Sequence, residues 1–152
     1  MLSGTICLLD KEFYKKTYIK EMNKKSGRLY LYLSIKYKNL YFLIPFESKL
    51  FLGNPKGIYL LPTVKKPDAG INFEKVIILK DTTYIIQLQQ KKVHIPRRQT
   101  NKIKQEIKKI EKKFEEYVDN FIKACQKNRE KKEAEYRYST LHYYKPLLVP
   151  KK

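Results

Sequence analysis

The sequence predicts an α+β fold: strands within residues 5–88 form a sheet, and one long amphipathic helix of the C-terminal half packs against it. Three observations predict this. Residues 29–38 alternate, with Leu29, Leu31, Leu33, Ile35 and Tyr37 between Tyr30, Tyr32, Ser34, Lys36 and Lys38. A period of two over ten residues is the mark of a strand with one buried face. Short apolar runs at 40–44 (LYFLI) and 75–79 (KVIIL) fit buried strands. Ile103, Ile107, Ile110, Phe114, Tyr117 and Phe121 are spaced four, three, four, three and four, which places them on one stripe of a helix.

Residues 5–9 (TICLL) read as a first strand, and Asp10 as the N-cap of the segment after it. Residues 11–22, dense in Lys and Tyr, form a short helix or irregular turn, and 24–27 a polar loop. After the alternating strand, Lys38-Asn39 turns the chain into 40–44, the central strand. Pro45 is expected to end it, since proline has no N–H for a ladder. Residues 45–70 carry Gly53, Pro55, Gly57, Pro62, Pro67 and Gly70, so they read as loop with a short strand at 59–61. Lys80-Asp81 closes the strand at 75–79, and 84–88 (YIIQL) is the last strand.

His94-Ile95-Pro96 leads into the helix, with Thr100 or Asn101 as its cap. The stripe lies on a helix of roughly seven turns. The charge run 127–135 reads as solvated helix, and the aromatic tail 136–148 as docking back on the core. No repeat or boundary divides the chain, so residues 1–152 read as one domain.

The 34 Lys and Arg against 15 Asp and Glu give a formal charge of +19. Self-repulsion of that size calls for a polyanionic partner: nucleic acid, an anionic membrane surface or an acidic protein. A hydrophobic fraction of 42% sets the chain apart from a disordered basic tail. Thirteen Tyr and seven Phe, with no Trp, include rings able to stack on bases, although about two-thirds are expected in strands and core. No apolar run is long enough to span a bilayer, and residues 1–10 lack the pattern of a signal peptide, so a cytoplasmic location is expected. Cys7 and Cys125 are then expected as reduced, partly buried thiols. Two Cys and two scattered His make no zinc spacing, so no metal and no cofactor is expected.

A phosphate-binding GK[ST] loop is missing, as are HExxH, DxD and clustered carboxylates. A nuclease built from these residues works without metal, and RNA permits that, because its own 2′-OH attacks the adjacent phosphate. The protein must then hold the chain in line, neutralise the phosphate and manage two protons. Residues for this concentrate at 13–18 (FYKKTY) and at 45–49 (PFESK), although composition alone favours an ordinary turn for the second. Arg97 and Arg98, just before the helix, suit phosphate contacts. His94 and His142 are unpaired in sequence, and a structural role is expected for both.

Residues 27–49 (GRLYLYLSIKYKNLYFLIPFESK) resemble the core of the type III toxin–antitoxin toxins, the ToxN/AbiQ superfamily. That core has a basic residue before an aromatic, a hairpin, and an apolar strand closing on Pro-apolar-x-Ser. Phe13-Tyr14-Lys15, residues 70–78 (GINFEKVII) and residues 138–144 (YSTLHYY) resemble further pieces of its CptN and TenpN branches, in family order and over most of the chain.

The resemblance implies a compact twisted antiparallel sheet surrounded by helices. It implies a phage-defence endoribonuclease that cuts single-stranded, often A-rich, RNA without metal, leaving 2′,3′-cyclic phosphate and 5′-hydroxyl ends. It also implies an RNA antitoxin of pseudoknot repeats, which the toxin cuts from a precursor and which then fills its basic groove in an oligomeric protein–RNA assembly.

Carried over by position, Ser48 matches the active-site serine, Arg28 the basic residue, Tyr30 the aromatic before the hairpin, Tyr14 an N-terminal aromatic near the RNA, and Lys75 the lysine before the central apolar strand. Many relatives have Ser-Pro-Lys, or a His three after the Ser, where this chain has Ser48-Lys49-Leu50-Phe51. Lys49 then supplies the cation from the adjacent position, which requires both residues to lie in a loop. Glu47 replaces a frequent small or basic residue. In the roles this implies, Ser48 bonds the scissile phosphate or relays a proton, and Lys49 and Lys75 stabilise the phosphorane. Tyr14 and Tyr30 orient bases, and Lys15, Lys16, Arg28, Arg97, Arg98 and Lys102 hold the backbone.

Two other readings compete: a non-catalytic basic RNA-binding module, and a binder of anionic membranes or acidic proteins. Cleavage in EDTA with cyclic-phosphate ends separates the first from the enzyme, and co-purified nucleic acid disfavours the second.

Overall fold

Seven strands pair into one antiparallel sheet in a computed structural model that describes residues 3–16, 31–88 and 95–150. In chain order these are β1 (Ile6–Leu9), β2 (Tyr32–Tyr37), β3 (Leu40–Glu47), β4 (Ile58–Leu60), β5 (Gly70–Asn72), β6 (Ile77–Leu79) and β7 (Ile85–Gln87). Helix α1 (Lys11–Lys16) comes after β1, α2 (Arg97–Gln126) after the sheet, and α3 (Lys145–Leu148) closes the tail. The sheet order is β4-β5-β3-β2-β1-β7, with β6 also on β3. The α+β class, the antiparallel sheet and the long helix are all as the sequence predicts. No helix among the described residues is long and apolar enough to cross a membrane.

Lys38 (φ 53°) and Asn39 (φ 60°) both adopt the left-handed backbone of a tight hairpin turn joining β2 to β3. Strand β2 differs from the one-faced strand expected. Tyr32 and Ser34 are as buried as Leu33 and Ile35, because β2 lies inside the sheet with both faces covered.

Pro45 does not end β3, which runs on to Glu47. The reason is its register. Phe46 N–H donates to Leu31 O at 2.9 Å, so Phe46 and Leu31 form a hydrogen-bonded pair and Pro45, opposite Tyr32, a non-hydrogen-bonded one. The missing N–H of Pro45 therefore faces the other edge. There β3 changes partner, from β6 (Tyr41 to Leu43) to β5 (Phe46 and Glu47). Between those partners the chain makes a 3₁₀ turn, Phe73–Lys75, so Lys75 ends a turn and is not the first residue of a strand. Strand β5 begins at Gly70, the last residue of the expected loop, and runs over residues 71–72, for which no element was expected.

On one face, Leu33, Ile35, Phe42, Ile44, Ile71, Phe73 and Ile78 meet Ile103, Ile110, Phe114, Tyr117, Val118 and Phe121 of α2. Phe114 sits between Phe42 and Phe73, edge to face at centroid distances of 5.2 and 5.1 Å. On the opposite face, Cys7, Leu9, Tyr32, Leu43 and Ile77 are covered by Phe13, Tyr14, Tyr84 and Tyr144.

Helix α2 has 30 residues, about 45 Å. It starts earlier than the expected cap. Pro96 stands at the N-cap position without a side-chain bond, and the Thr100 hydroxyl turns back to Arg97 O at 3.0 Å. Proline's fixed φ sets the first turn without a capping oxygen. The charge run after α2 is a series of turns that ends in a short 3₁₀ helix, Ala134–Tyr136, and not a continuing α-helix. Asn128 takes φ 56°, and Arg129 N–H reaches back to Ala124 O at 2.8 Å, a Schellman closure that stops the helix. The tail does dock: Tyr136, Leu141 and Leu148 are buried, and Tyr136 donates to Tyr117 O at 2.9 Å.

Candidate functional site

Strand β3 leaves the sheet at a bend formed by Ser48 and Lys49, both exposed. Two contacts set that bend. Leu50 N–H donates to Asp68 O at 2.8 Å, and the buried Leu50 side chain lies over Gly70. A Cβ on Gly70 would stand 2.8 Å from Leu50 Cδ1 and 2.2 Å from Tyr59 O, so only glycine lets the three segments approach. Both residues thus lie in a loop, as the expected pairing of Ser48 with Lys49 requires.

Glu47, the last residue of β3, pairs across with Gly70. Its Oε2 is 3.4 Å from Lys75 Nζ and accepts from Asn72 Nδ2 at 2.8 Å. Asn72 also caps the 3₁₀ turn, its Oδ1 accepting from Glu74 N–H at 2.9 Å. One nearly buried amide therefore fixes both the turn that carries Lys75 and the carboxylate that meets it. Glu47 Oε1 has no hydrogen-bond partner among the described residues. An ion pair this open to water contributes about 1 kcal/mol or less to stability, so folding alone does not require it.

Tyr14, on α1, shares a 2.8 Å hydrogen bond with the hydroxyl of buried Tyr32. Tyr32 is opposite Pro45, and Glu47 lies two residues further along β3. Side chains two apart share a sheet face, so Tyr14, Tyr32 and Glu47 lie on the face away from α2. Lys15 pairs with Glu12 at 3.3 Å, and Lys16 Nζ lies 3.4 Å from the Tyr84 hydroxyl and over its ring.

Arg97 and Arg98 are exposed on the first turn of α2, and Lys102 is half-buried. Between them and the stripe, Gln99 is buried and donates to Leu61 O at 2.7 Å. Leu61 N–H in turn donates to Ala69 O at 2.8 Å, next to the Asp68 that holds Leu50. The start of α2 is thereby tied to the Ser48–Lys49 bend. Antiparallel pairing places the exit of β3, the exit of β1 into α1, the loop between β4 and β5 and the start of α2 at one end of the sheet.

Lys75 is linked to that end through Glu47, the residue before Ser48 and Lys49. Tyr14, Lys15, Lys16, Arg97, Arg98 and Lys102 lie at that same end. Arg28, Tyr30 and His94 lie outside the described residues. Glu47 and Asn72 complete the arrangement, and the sequence did not single them out as site residues. Glu47 stood out only as a departure from the resembling family.

His142 is apart from this end. Its Nε2 meets Tyr136 O at 2.7 Å and its ring packs edge-on against Phe121, a structural role as expected. Cys7 is buried and Cys125 half-buried, both free, and burial pushes their thiols up to about 12 and about 11. Neither is a ready thiolate at neutral pH. Among the described residues no three His, Cys, Asp or Glu side chains gather as a metal site needs.

Helix α2 is charged asymmetrically. Its first seventeen residues carry Arg97, Arg98, Lys102, Lys104, Lys108, Lys109, Lys112 and Lys113 against Glu106 and Glu111, and its remainder carries Glu115, Glu116 and Asp119 against Lys123. Cations at a helix N-terminus oppose the macrodipole. The arrangement costs stability and concentrates positive potential at the end where Ser48 lies. The chain matches no protein-family model, no curated protein and no solved structure.

Proposed function

We propose that this protein is a metal-independent endoribonuclease for single-stranded RNA, the toxin of a type III toxin–antitoxin pair acting in the cytoplasm. The arrangement that carries the reading is Glu47 and Lys75, held by Asn72, beside the exposed Ser48–Lys49 bend at the cationic end of a chain of charge +19. In this reading Oε1 of Glu47 takes the proton of a ribose 2′-OH. The 2′-oxygen attacks the adjacent phosphorus, and the bond from phosphorus to the 5′-oxygen breaks. Lys75 and Lys49 offset the charge that grows on the phosphoryl oxygens, and the Ser48 hydroxyl donates to one of them. The departing 5′-oxygen takes a proton from water, to which the bend is open. The products are a 2′,3′-cyclic phosphate and a 5′-hydroxyl. The sequence resemblance adds the partner: an RNA antitoxin of pseudoknot repeats, cut by the same site and retained in an oligomeric assembly.

A labelled single-stranded RNA incubated with the protein in EDTA tests this. Cleavage with cyclic-phosphate ends, lost in Ser48→Ala and Glu47→Gln, is the expected result. Intact RNA with wild-type protein would remove the enzymatic reading. It would leave the second one, a non-catalytic RNA-binding module, which the charge of +19 and the thirteen Tyr fit equally.

A further inference from the structure

The bend that carries Ser48 and Lys49 continues into an aromatic side chain that the core does not use. Phe51 is 76% exposed. Its ring does not swing freely, because it lies against the backbone of Gly53, where a Cβ would fall 2.2 Å from Cζ and 2.4 Å from Cε2. One side of the ring is thus backed by the chain. Leaving a Phe ring in water forfeits on the order of 2 kcal/mol of burial, which the flat face of a partner would recover. Val64, 86% exposed, stands on the neighbouring loop between β4 and β5.

The surroundings of the ring decide the partner's chemistry. Lys49, Lys65, Lys66, Arg97 and Arg98 are all exposed, and hydrogen bonds hold their three segments together: Leu50 to Asp68, Leu61 to Ala69, and Gln99 to Leu61. The acid in those links, Asp68, is half-buried. A second copy of this chain would set like charges against each other. An exposed π-face on a segment tied to others that carry exposed cations matches single-stranded nucleic acid, whose bases stack while its phosphates meet Lys and Arg. Phe51 lies three residues beyond Ser48, at most about 10 Å of chain, within reach of the nucleotide next to one bound at Ser48.

We propose that the Phe51 ring, backed by Gly53, is a stacking platform for the base flanking the cleaved phosphate, and that Lys65 and Lys66 hold the neighbouring phosphates. This rests on the RNA reading above and adds a subsite to it.

The test is binding of a single-stranded RNA carrying 2′-O-methyl riboses, which cannot be cut, monitored by anisotropy over a range of salt. Phe51→Ala is expected to weaken binding about five- to hundredfold, and Phe51→Trp to hold or tighten it. Gly53→Ala, which forces the ring to shift, should behave like Phe51→Ala. Lys65→Ser with Lys66→Ser should lower the slope of log affinity against log salt by about 1.4. Unchanged melting temperatures would confirm that these surface variants fold. Equal affinity of wild type, Phe51→Ala and Phe51→Trp would overturn the platform and leave the RNA reading standing. Failure of the wild-type protein to bind RNA would overturn both. Loss in Phe51→Ala of binding to phosphatidylserine vesicles, with RNA binding unchanged, would assign the surface to a membrane instead.

Discussion

A single oxygen of Glu47 receives both Lys75, at 3.4 Å, and Asn72, at 2.8 Å. The carboxylate is held from one side, and its other oxygen has no hydrogen-bond partner among the described residues, the arrangement that the proposed general base needs. The same arrangement orients Lys75 at the edge of a solvent-open bend.

Glu47→Gln keeps the shape and the Asn72 contact but removes the base. Cleavage should fall by about 10²- to 10⁴-fold, with RNA affinity changed by less than about tenfold. Ser48→Ala should show the same split. Single-turnover cleavage together with binding of uncleavable RNA reads both quantities. A parallel loss of affinity and rate would assign these residues to binding alone.

Gly70 has no room for a methyl group, because Tyr59 O would lie 2.2 Å from it. Gly70→Ala should destabilise the fold by about 3 kcal/mol, at the upper end for overpacking, since backbone on both sides must move. The urea midpoint at constant slope is the measure.

Gln99 is buried, and its amide is the link from α2 to Leu61. Gln99→Met leaves Leu61 O without that donor and should cost about 1–3 kcal/mol. RNA affinity should fall as well, because Arg97 and Arg98 then lose their fixed relation to the bend. A Tm series with parallel RNA titration checks both effects.

The Tyr37 hydroxyl donates to both oxygens of Asp119, at 2.9 and 2.8 Å. Burial first, and Asp119 second, push its pKa up to about 12 from an ordinary value of 10. Burial pushes Tyr144 up to about 12, and burial with the Glu106 contact does the same for Tyr59. The unfolded chain therefore releases these protons first. Their contribution to stability is complete below pH 10 and is lost as pH rises from 10 through 12. Melting temperatures should be level from pH 7 to 9 and fall beyond 10. In Tyr37→Phe the fall should be shallower, and an unchanged slope would show that Tyr37 does not contribute to it.

The elements legible in the sequence were those specified by neighbours along the chain. The stripe from Ile103 to Phe121 defined α2, and Lys38-Asn39 defined its turn, because helical spacing and left-handed turns are local properties. What escaped depends on partners far away. Pro45 reads as a strand end until the sheet shows that its missing N–H faces the change from β6 to β5. Ser34 reads as solvent-facing until both faces of β2 prove covered. Ser48 and Lys75 were named through a resemblance and Lys49 as a departure from it, whereas the pairing of Glu47 with Lys75 spans 28 positions and exists only through the β3–β5 register.

The reversed charge order of α2 has a consequence for the isolated protein. Repulsion among the cations of its first half adds to the unfavourable interaction with the helix dipole, and mobile ions weaken both. Simple salt should therefore raise the melting temperature, and a polyphosphate chain should raise it at far lower concentration. A polyanion that bound there would discharge this electrostatic load, so its capture and consolidation of the helix would be one coupled equilibrium.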